Sequence, residues 1–304
     1  MEPTRPQGTQ KSREEELVER AQVVEASGPI QGQQVFEQAV QERPRSLTQQ
    51  PKISDGTSYQ FRFPCGVVNA KGELFRGFNI KPMTGLVRKE VARPENRKNA
   101  SRAITIMLKL CISEIEGVTR VTEEVLRSLT VADRDYATLK IRELSISPTI
   151  DLNMECPHCQ EKLDITVDLS EVELKNYDDT KFEFIDGMFQ IEIKDPELGI
   201  QCSMRLPTGE DQEKILPIIK NNPLEGNYKL MARCMVHFLG RDNLDSSFFE
   251  SLPVRHIDSI EAKFTENLPG PDLRPHVNCS VCGEDTPASM DIADFLFSSP
   301  QKKQ

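Results

Sequence analysis

Cys156-Pro157-His158-Cys159 and Cys279-Ser280-Val281-Cys282 are the two Cys-x-x-Cys pairs of this 304-residue chain, and the second begins 123 residues after the first. The same shift carries Cys111 onto Cys234, Gly117 onto Gly240, Ser128-Leu129 onto Ser251-Leu252 and Val131 onto Val254. Asp135, Lys140, Glu143, Pro148, Glu161 and Asp168 fall on Asp258, Lys263, Glu266, Pro271, Glu284 and Asp291. With one extra residue in the second half, Met83-Thr84-Gly85 meets Pro207-Thr208-Gly209. This register reads as an internal duplication in which each copy supplies two of the four thiolates of a single zinc site.

Working outward, each pair sits between segments that alternate with period two. Ile150, Leu152 and Met154 lead into Cys156, and Leu163, Ile165, Val167 and Leu169 lead away from Cys159. Val277 leads into the second pair, and Ala288, Met290 and Ile292 lead out. Each pair is thus expected at the tip of a β-hairpin. Upstream, Thr84 and Thr208 are candidate helix N-caps. Ile104, Met107, Leu108, Cys111, Ile112 and Ile115 keep the spacing of a buried helical face, answered by Met231, Cys234, Met235 and Phe238. Short segments at Val125, Leu126 and Leu129 (Phe248, Phe249 and Leu252 in the second copy) precede a third helix from Val131 to near Leu144, or Val254 to near Asn267.

The expected fold is α+β: two duplicated units, each a small helical bundle ending in a Cys-x-x-Cys hairpin, the two hairpins forming one zinc ribbon, with additional β-hairpins. The boundaries that follow are a partly helical or disordered arm over 1–57, a first unit over 58–176, a connecting β-hairpin segment over 177–206, a second unit over 207–297 and a tail over 298–304. The arm is rich in Gln, Glu, Pro and Ser with few aromatics; a helix fits only within Ser12 to Ala26. Tyr59, Phe61 and Phe63, a turn at Asn69 to Gly72 and the run Leu74 to Ile80 predict a first hairpin. Asp186-Gly187 between Phe182/Phe184 and Phe189/Ile191/Ile193 predicts another, with a further strand over Ile200 to Leu206.

Eight cysteines and no apolar leader point to a reducing compartment, where thiols and metal ligands are the expectation rather than disulfides. No stretch is long and apolar enough for a membrane span. The metal ligands expected are Cys156, Cys159, Cys279 and Cys282. His158 would face solvent or support the ligands from outside, and His276, three residues before Cys279, is the one competing ligand. A redox pair would stand between a strand and a helix N-terminus, whereas here a strand follows each pair. Four thiolates leave no open coordination position, so the site reads as structural. Cys111 and Cys234 read as core residues. Asp133-Arg134-Asp135 reads as a helix-start cluster suited to capping, with no His, nucleophile or Gly-rich phosphate loop beside it; no catalytic residue and no small-molecule substrate is expected. The formal charge of −10 argues against coating nucleic acid. The basic run Arg88, Lys89, Arg93, Arg97, Lys98 and Arg102 lacks interleaved aromatics and reads first as a solvated helix face.

Lys81-Pro82-Met83-Thr84-Gly85, Ile115-Glu116-Gly117, Leu129 with Asp133-Arg134-Asp135-Tyr136, Leu139-Lys140-Ile141-Arg142 and Cys156-Pro-His-Cys159 with Val167-Asp168-Leu169-Ser170 occur in an order that resembles the T-even-phage baseplate protein family. Arg205-Leu206-Pro207-Thr208-Gly209-Glu210-Asp211 and Cys279 to Cys282, followed by Asp291 and Phe295 to Phe297, extend the likeness to about residues 59 to 298. The second pair lacks the Pro that follows the first Cys of the first pair. The resemblance implies a non-enzymatic hub or hub-assembly protein of contractile phages and related injection machines. Its partners would be other tail and baseplate hub proteins, met in the cytoplasm of the producing cell and retained or released in the finished tail. A zinc-ribbon module for nucleic-acid or transcription-related binding is the alternative. Against it stand Asp151, Glu155, Glu161 and Asp164 around the first pair, and Glu284, Asp285 and Asp291 around the second.

Overall fold

The first element among the described residues is a strand, as the alternation of Tyr59, Phe61 and Phe63 with Gln60 and Arg62 predicts. The computed structural model describes residues 59–68, 73–242, 244–288 and 290. The expected arm over 1–57, the turn at Asn69 to Gly72, Asp291, Ile292, Phe295 to Phe297 and the tail lie outside these residues.

Strand β1 (Phe61–Val68) pairs antiparallel with β2 (Leu74–Ile80), Phe61 opposite Phe78 and Val68 opposite Leu74. Phe63 stacks on Phe78 with ring centroids 4.0 Å apart. Thr84 then caps α1 (Gly85–Val91), its side chain accepting from the Val87 amide. A short α2 (Pro94–Arg97) leads to α3 (Ala100–Cys111), capped by Asn99.

The helical face expected to run through Ile115 stops at Cys111. Ile112 is extended, with ψ 118°, and Ile112–Ile115 forms β3, which pairs with β2 as the third strand of the sheet β1-β2-β3. Ile112 and Ile115 are buried all the same. Their spacing of three is that of a helix face, since residues three apart on a strand point to opposite sides, and pairing with β2, with a register shift between Asn79 and Ile80, overrides it. Helices α4 (Glu123–Ser128) and α5 (Val131–Ser145) follow, with Thr122 and Thr130 as caps. The chain then enters β4 (Thr149–Glu155) and β5 (Lys162–Asp168), paired along their whole length.

Beyond a two-residue β6 (Leu174–Lys175) lie β7 (Phe182–Ile185), β8 (Met188–Asp195) and β9 (Ile200–Arg205), within the segment expected to connect the two copies. Asp186 and Gly187 both take positive φ at the β7–β8 turn, the backbone a two-residue hairpin favours. Then come α6 (Gly209–Asn221), α7 (Pro223–Cys234), β10 (Met235–Phe238), β11 (Arg241–Asp242), α8 (Ser246–Ser251) and α9 (Val254–Asn267). The second sheet runs β11-β10-β9-β8-β7. The periodic run Met231 to Phe238 breaks as its counterpart does: α7 ends at Cys234 and Met235–Phe238 is a strand. A shift of 123 carries the bounds of α3, β3 and α4 onto those of α7, β10 and α8, while α9 starts in register with α5 and ends one residue short.

Two apolar cores result, and each takes residues from the other half. The first, around Phe78, Met107, Leu108 and Leu126, includes Met290. The second, around Met204, Phe249 and Ile260, includes Cys65 and Ala132. Thr130 and Thr208 form a β-bridge, with Val131 N donating to Pro207 O (2.8 Å) and Gly209 N to Leu129 O (3.0 Å). The strand β12 (Gly270–Pro271) pairs back onto β6. The last pair, β13 (His276–Asn278) with β14 (Asp285–Pro287), brackets the second Cys-x-x-Cys.

The Asp133-Arg134-Asp135 cluster is more deeply placed than a helix-start reading suggests. Asp133 and Arg134 are fully buried. Asp133 accepts from the Cys65 amide (2.8 Å), the Gly66 amide (3.2 Å) and the Thr130 hydroxyl (2.7 Å). Burial nonetheless dominates and pushes its carboxyl up to about 6. The Arg134 guanidinium donates to Leu126 O, Ser101 O, Thr105 Oγ1 and Gln212 Oε1, joining α3, α4, α5 and α6. Asp211, equally buried, caps α6 and takes Arg205 on both oxygens (2.7 and 2.9 Å) together with Arg233 (2.7 Å).

Candidate metal centre

Both knuckles are built by the same backbone pattern. In the first, the Cys156 amide donates to Glu161 O (2.8 Å) and the Gln160 amide to Cys156 O (2.8 Å). In the second, the Cys279 amide donates to Glu284 O and the Gly283 amide to Cys279 O, each 2.9 Å. The turn requires a left-handed residue one place after the second cysteine: Gln160 has φ 62° and Gly283 φ 76°. Glycine adopts that backbone freely, whereas Gln160 does so against a steric cost.

These turns bring four sulfurs together from chain positions more than a hundred residues apart. Cys156 Sγ lies 3.7 Å from Cys282 Sγ, and Cys159 Sγ lies 3.6 Å from Cys279 Sγ. All four sulfurs fall within 4.8 Å of one another, so Cys156, Cys159, Cys279 and Cys282 could hold a metal ion. Sulfurs at the corners of a tetrahedron, each about 2.3 Å from a central zinc, would be about 3.8 Å apart, which the cross-knuckle distances match. Cys156 and Cys279 are buried, packed with Leu163 and flanked by Met154 and Ile165; Cys159 and Cys282 are exposed.

The electrostatics of the turns favour thiolate on the buried pair. The amides of Cys159 and His158 point at Cys156 and draw its thiol down to about 6. Those of Cys282 and Val281 lower the Cys279 thiol in the same way. At Cys282 the Glu284 amide favours the thiolate, but local loss of water around the sulfur and the three neighbouring thiols outweigh it and push the thiol up to about 12. A cation at the centre would replace those shared protons, because thiolate, not thiol, is the ligand.

His158 is exposed and outside the sulfur cluster. The side chain of His276 turns instead to Asp285, with Nδ1 and Oδ2 2.7 Å apart. Cys111 and Cys234 are core residues, their thiols raised by burial to about 11 and about 12. Among the described residues the four-Cys group is the single cluster of three or more His, Cys, Asp or Glu positioned for a metal. No helix among them is long and apolar enough to cross a membrane. What sequence reasoning missed is the buried Arg134 and Asp211 networks; their partners at Ser101, Gln212 and Arg233 carry no local signature.

A family model described as T4 bacteriophage base plate protein matches residues 69–297. No curated protein and no solved structure matches the chain.

Proposed function

The chain belongs to the T4 bacteriophage base plate protein family, and from that premise we propose that it is a structural or assembly protein of the hub of a contractile-tail baseplate, in a phage or a phage-like injection system. The family match across both halves carries this reading. In it the protein performs no catalysis. It binds other tail and hub proteins in the producing cell's cytoplasm and either stays in the particle or leaves once the hub is built.

The same reading makes Cys156, Cys159, Cys279 and Cys282 the ligands of one zinc. Bound there, the metal would supply a cross-link and no reaction, since four thiolates close its coordination shell. The shared bounds of α3, β3 and α4 with α7, β10 and α8 support an internal duplication whose two copies meet at that site. Glycines with φ 73° and 76° follow β3 and β10 at Gly117 and Gly240, and Asn99 and Asn222 cap the equivalent helices, in the same register. Exposed Glu155, Glu161, Asp164, Glu284 and Asp285 around the knuckles oppose a nucleic-acid role for the ribbon.

Affinity purification from lysates expressing the complete tail-gene cluster tests the assembly role. Co-purification of hub components in stoichiometric amounts is expected; recovery of the chain alone would contradict it.

A further inference from the structure

The basic run singled out in the sequence has no part in the metal centre or the cores. Residues 81–98 hold six Lys and Arg against two Glu, in a chain whose formal charge is −10. Both glutamates are drawn to one arginine: Arg93 lies 2.7 Å from Glu90 and 3.9 Å from Glu95. Lys81, Arg88, Lys89 and Lys98 are exposed and pair with no acidic side chain among the described residues. Leu86 on α1 is an uncovered apolar side chain, 62% exposed, and Lys89 follows it by three residues, the spacing that puts two side chains side by side on a helix. The start of α1 is tied down by Lys81 N donating to Cys111 O (2.7 Å) and Met83 N to Ser145 Oγ (2.8 Å). It therefore sits against the ends of α3 and α5, where Leu110 and Leu144 are also exposed.

We propose that Lys81, Leu86, Arg88 and Lys89 form a docking surface for an acidic segment of a partner protein that carries apolar side chains among its carboxylates. Charge complementarity supplies the first half of that description. A concentrated positive face on an otherwise acidic molecule attracts anionic groups at a distance and favours a partner of complementary charge. The leucines supply the second half. A nucleic-acid backbone would satisfy the cations and leave Leu86 in water, and residues 81–98 offer no aromatic ring for a base to stack on. The proposal rests on the baseplate reading only in taking the partner to be a protein of the assembly.

The test is fluorescence anisotropy of the full chain with three probes. These are a synthetic helical peptide with glutamates on one face and leucines on the other, the same peptide with each leucine replaced by serine, and single-stranded DNA. The first peptide should bind in a salt-sensitive manner. Leu86→Ser and the double change Arg88→Glu/Lys89→Glu should each weaken it about tenfold while leaving thermal melting unchanged, since all three side chains are exposed. Unaltered binding in both variants, or no binding at all, would overturn the proposal. So would equal binding of the serine peptide or patch-dependent binding of DNA, which would make the face a general polyanion site. If the double variant melts early, Leu86→Ser and the uncharged Arg88→Gln/Lys89→Gln decide the matter by the same criterion. Failure here with hub proteins still co-purifying would remove the surface alone; loss of that co-purification would remove the baseplate reading.

Discussion

The Sγ atoms of Cys159 and Cys279 lie 3.6 Å apart although 120 residues separate them along the chain. Cys156 and Cys282 repeat the relationship at 3.7 Å, so each pair of sulfurs joins one knuckle to the other. A metal held this way binds the folded chain far better than the unfolded one. Chelation should therefore lower the melting temperature reversibly. Where free zinc stands a thousandfold above its Kd, the stabilisation it removes is about 4 kcal/mol. Calorimetry before and after chelator, then with zinc restored, measures this. A melting curve indifferent to chelator would contradict it.

Asp211 should give a pH-dependent contribution of known sign. Burial alone would raise its carboxyl, but the Arg205 fork, the Thr208 amide and Arg233 outweigh burial and hold it at about 2, below the ordinary 3.8. A depressed carboxyl contributes stability above its unfolded pKa and loses it as pH falls through the folded one. At pH 7 Asp211→Asn should cost about 2–3 kcal/mol. The gap between the variant and the parent should close between pH 4 and pH 2, as read by urea unfolding at each pH.

Gly209→Ala should be destabilising through Arg134. A Cβ at Gly209 would stand 2.5 Å from Arg134 Cζ. The guanidinium is fully buried and tied to Leu126, Ser101, Thr105 and Gln212, so it cannot swing aside. A loss of about 3 kcal/mol is expected. A neutral outcome would show that the network yields.

Gly117 and Gly240 occupy equivalent positions with nearly equal φ, 73° and 76°, yet should respond unequally to alanine. The backbone strain is common to both, about 1–2 kcal/mol. At Gly117 the new Cβ would also meet Phe75 Cδ2 at 2.3 Å, whereas nothing lies within 4 Å at Gly240. Gly117→Ala should therefore cost clearly more, by a margin that parallel denaturation curves resolve.

Much of this structure is legible in the sequence because its strongest signals are local. Thr84 and Thr208 announce α1 and α6, and the alternation around Cys156 announces β4 and β5. Locality also explains the misreadings. Ile112 and Ile115 keep the spacing of a helix face, and only pairing with β2, more than thirty residues earlier, draws them into a strand. Arg134 looks like a helix-start charge because its partner Gln212 lies 78 residues away. At the candidate metal centre the two cysteine pairs and their spacing are readable. The turns that aim the sulfurs, including the left-handed Gln160, are not, since glutamine does not advertise positive φ.

The central claim is that one metal joins the two halves of a single chain, and native mass spectrometry of the purified protein tests it most directly. The account predicts one zinc per chain, with Cys156→Ser and Cys282→Ser each abolishing it although they lie on different knuckles. A metal-free chain, two zincs per chain, or zinc retained after either substitution would contradict it.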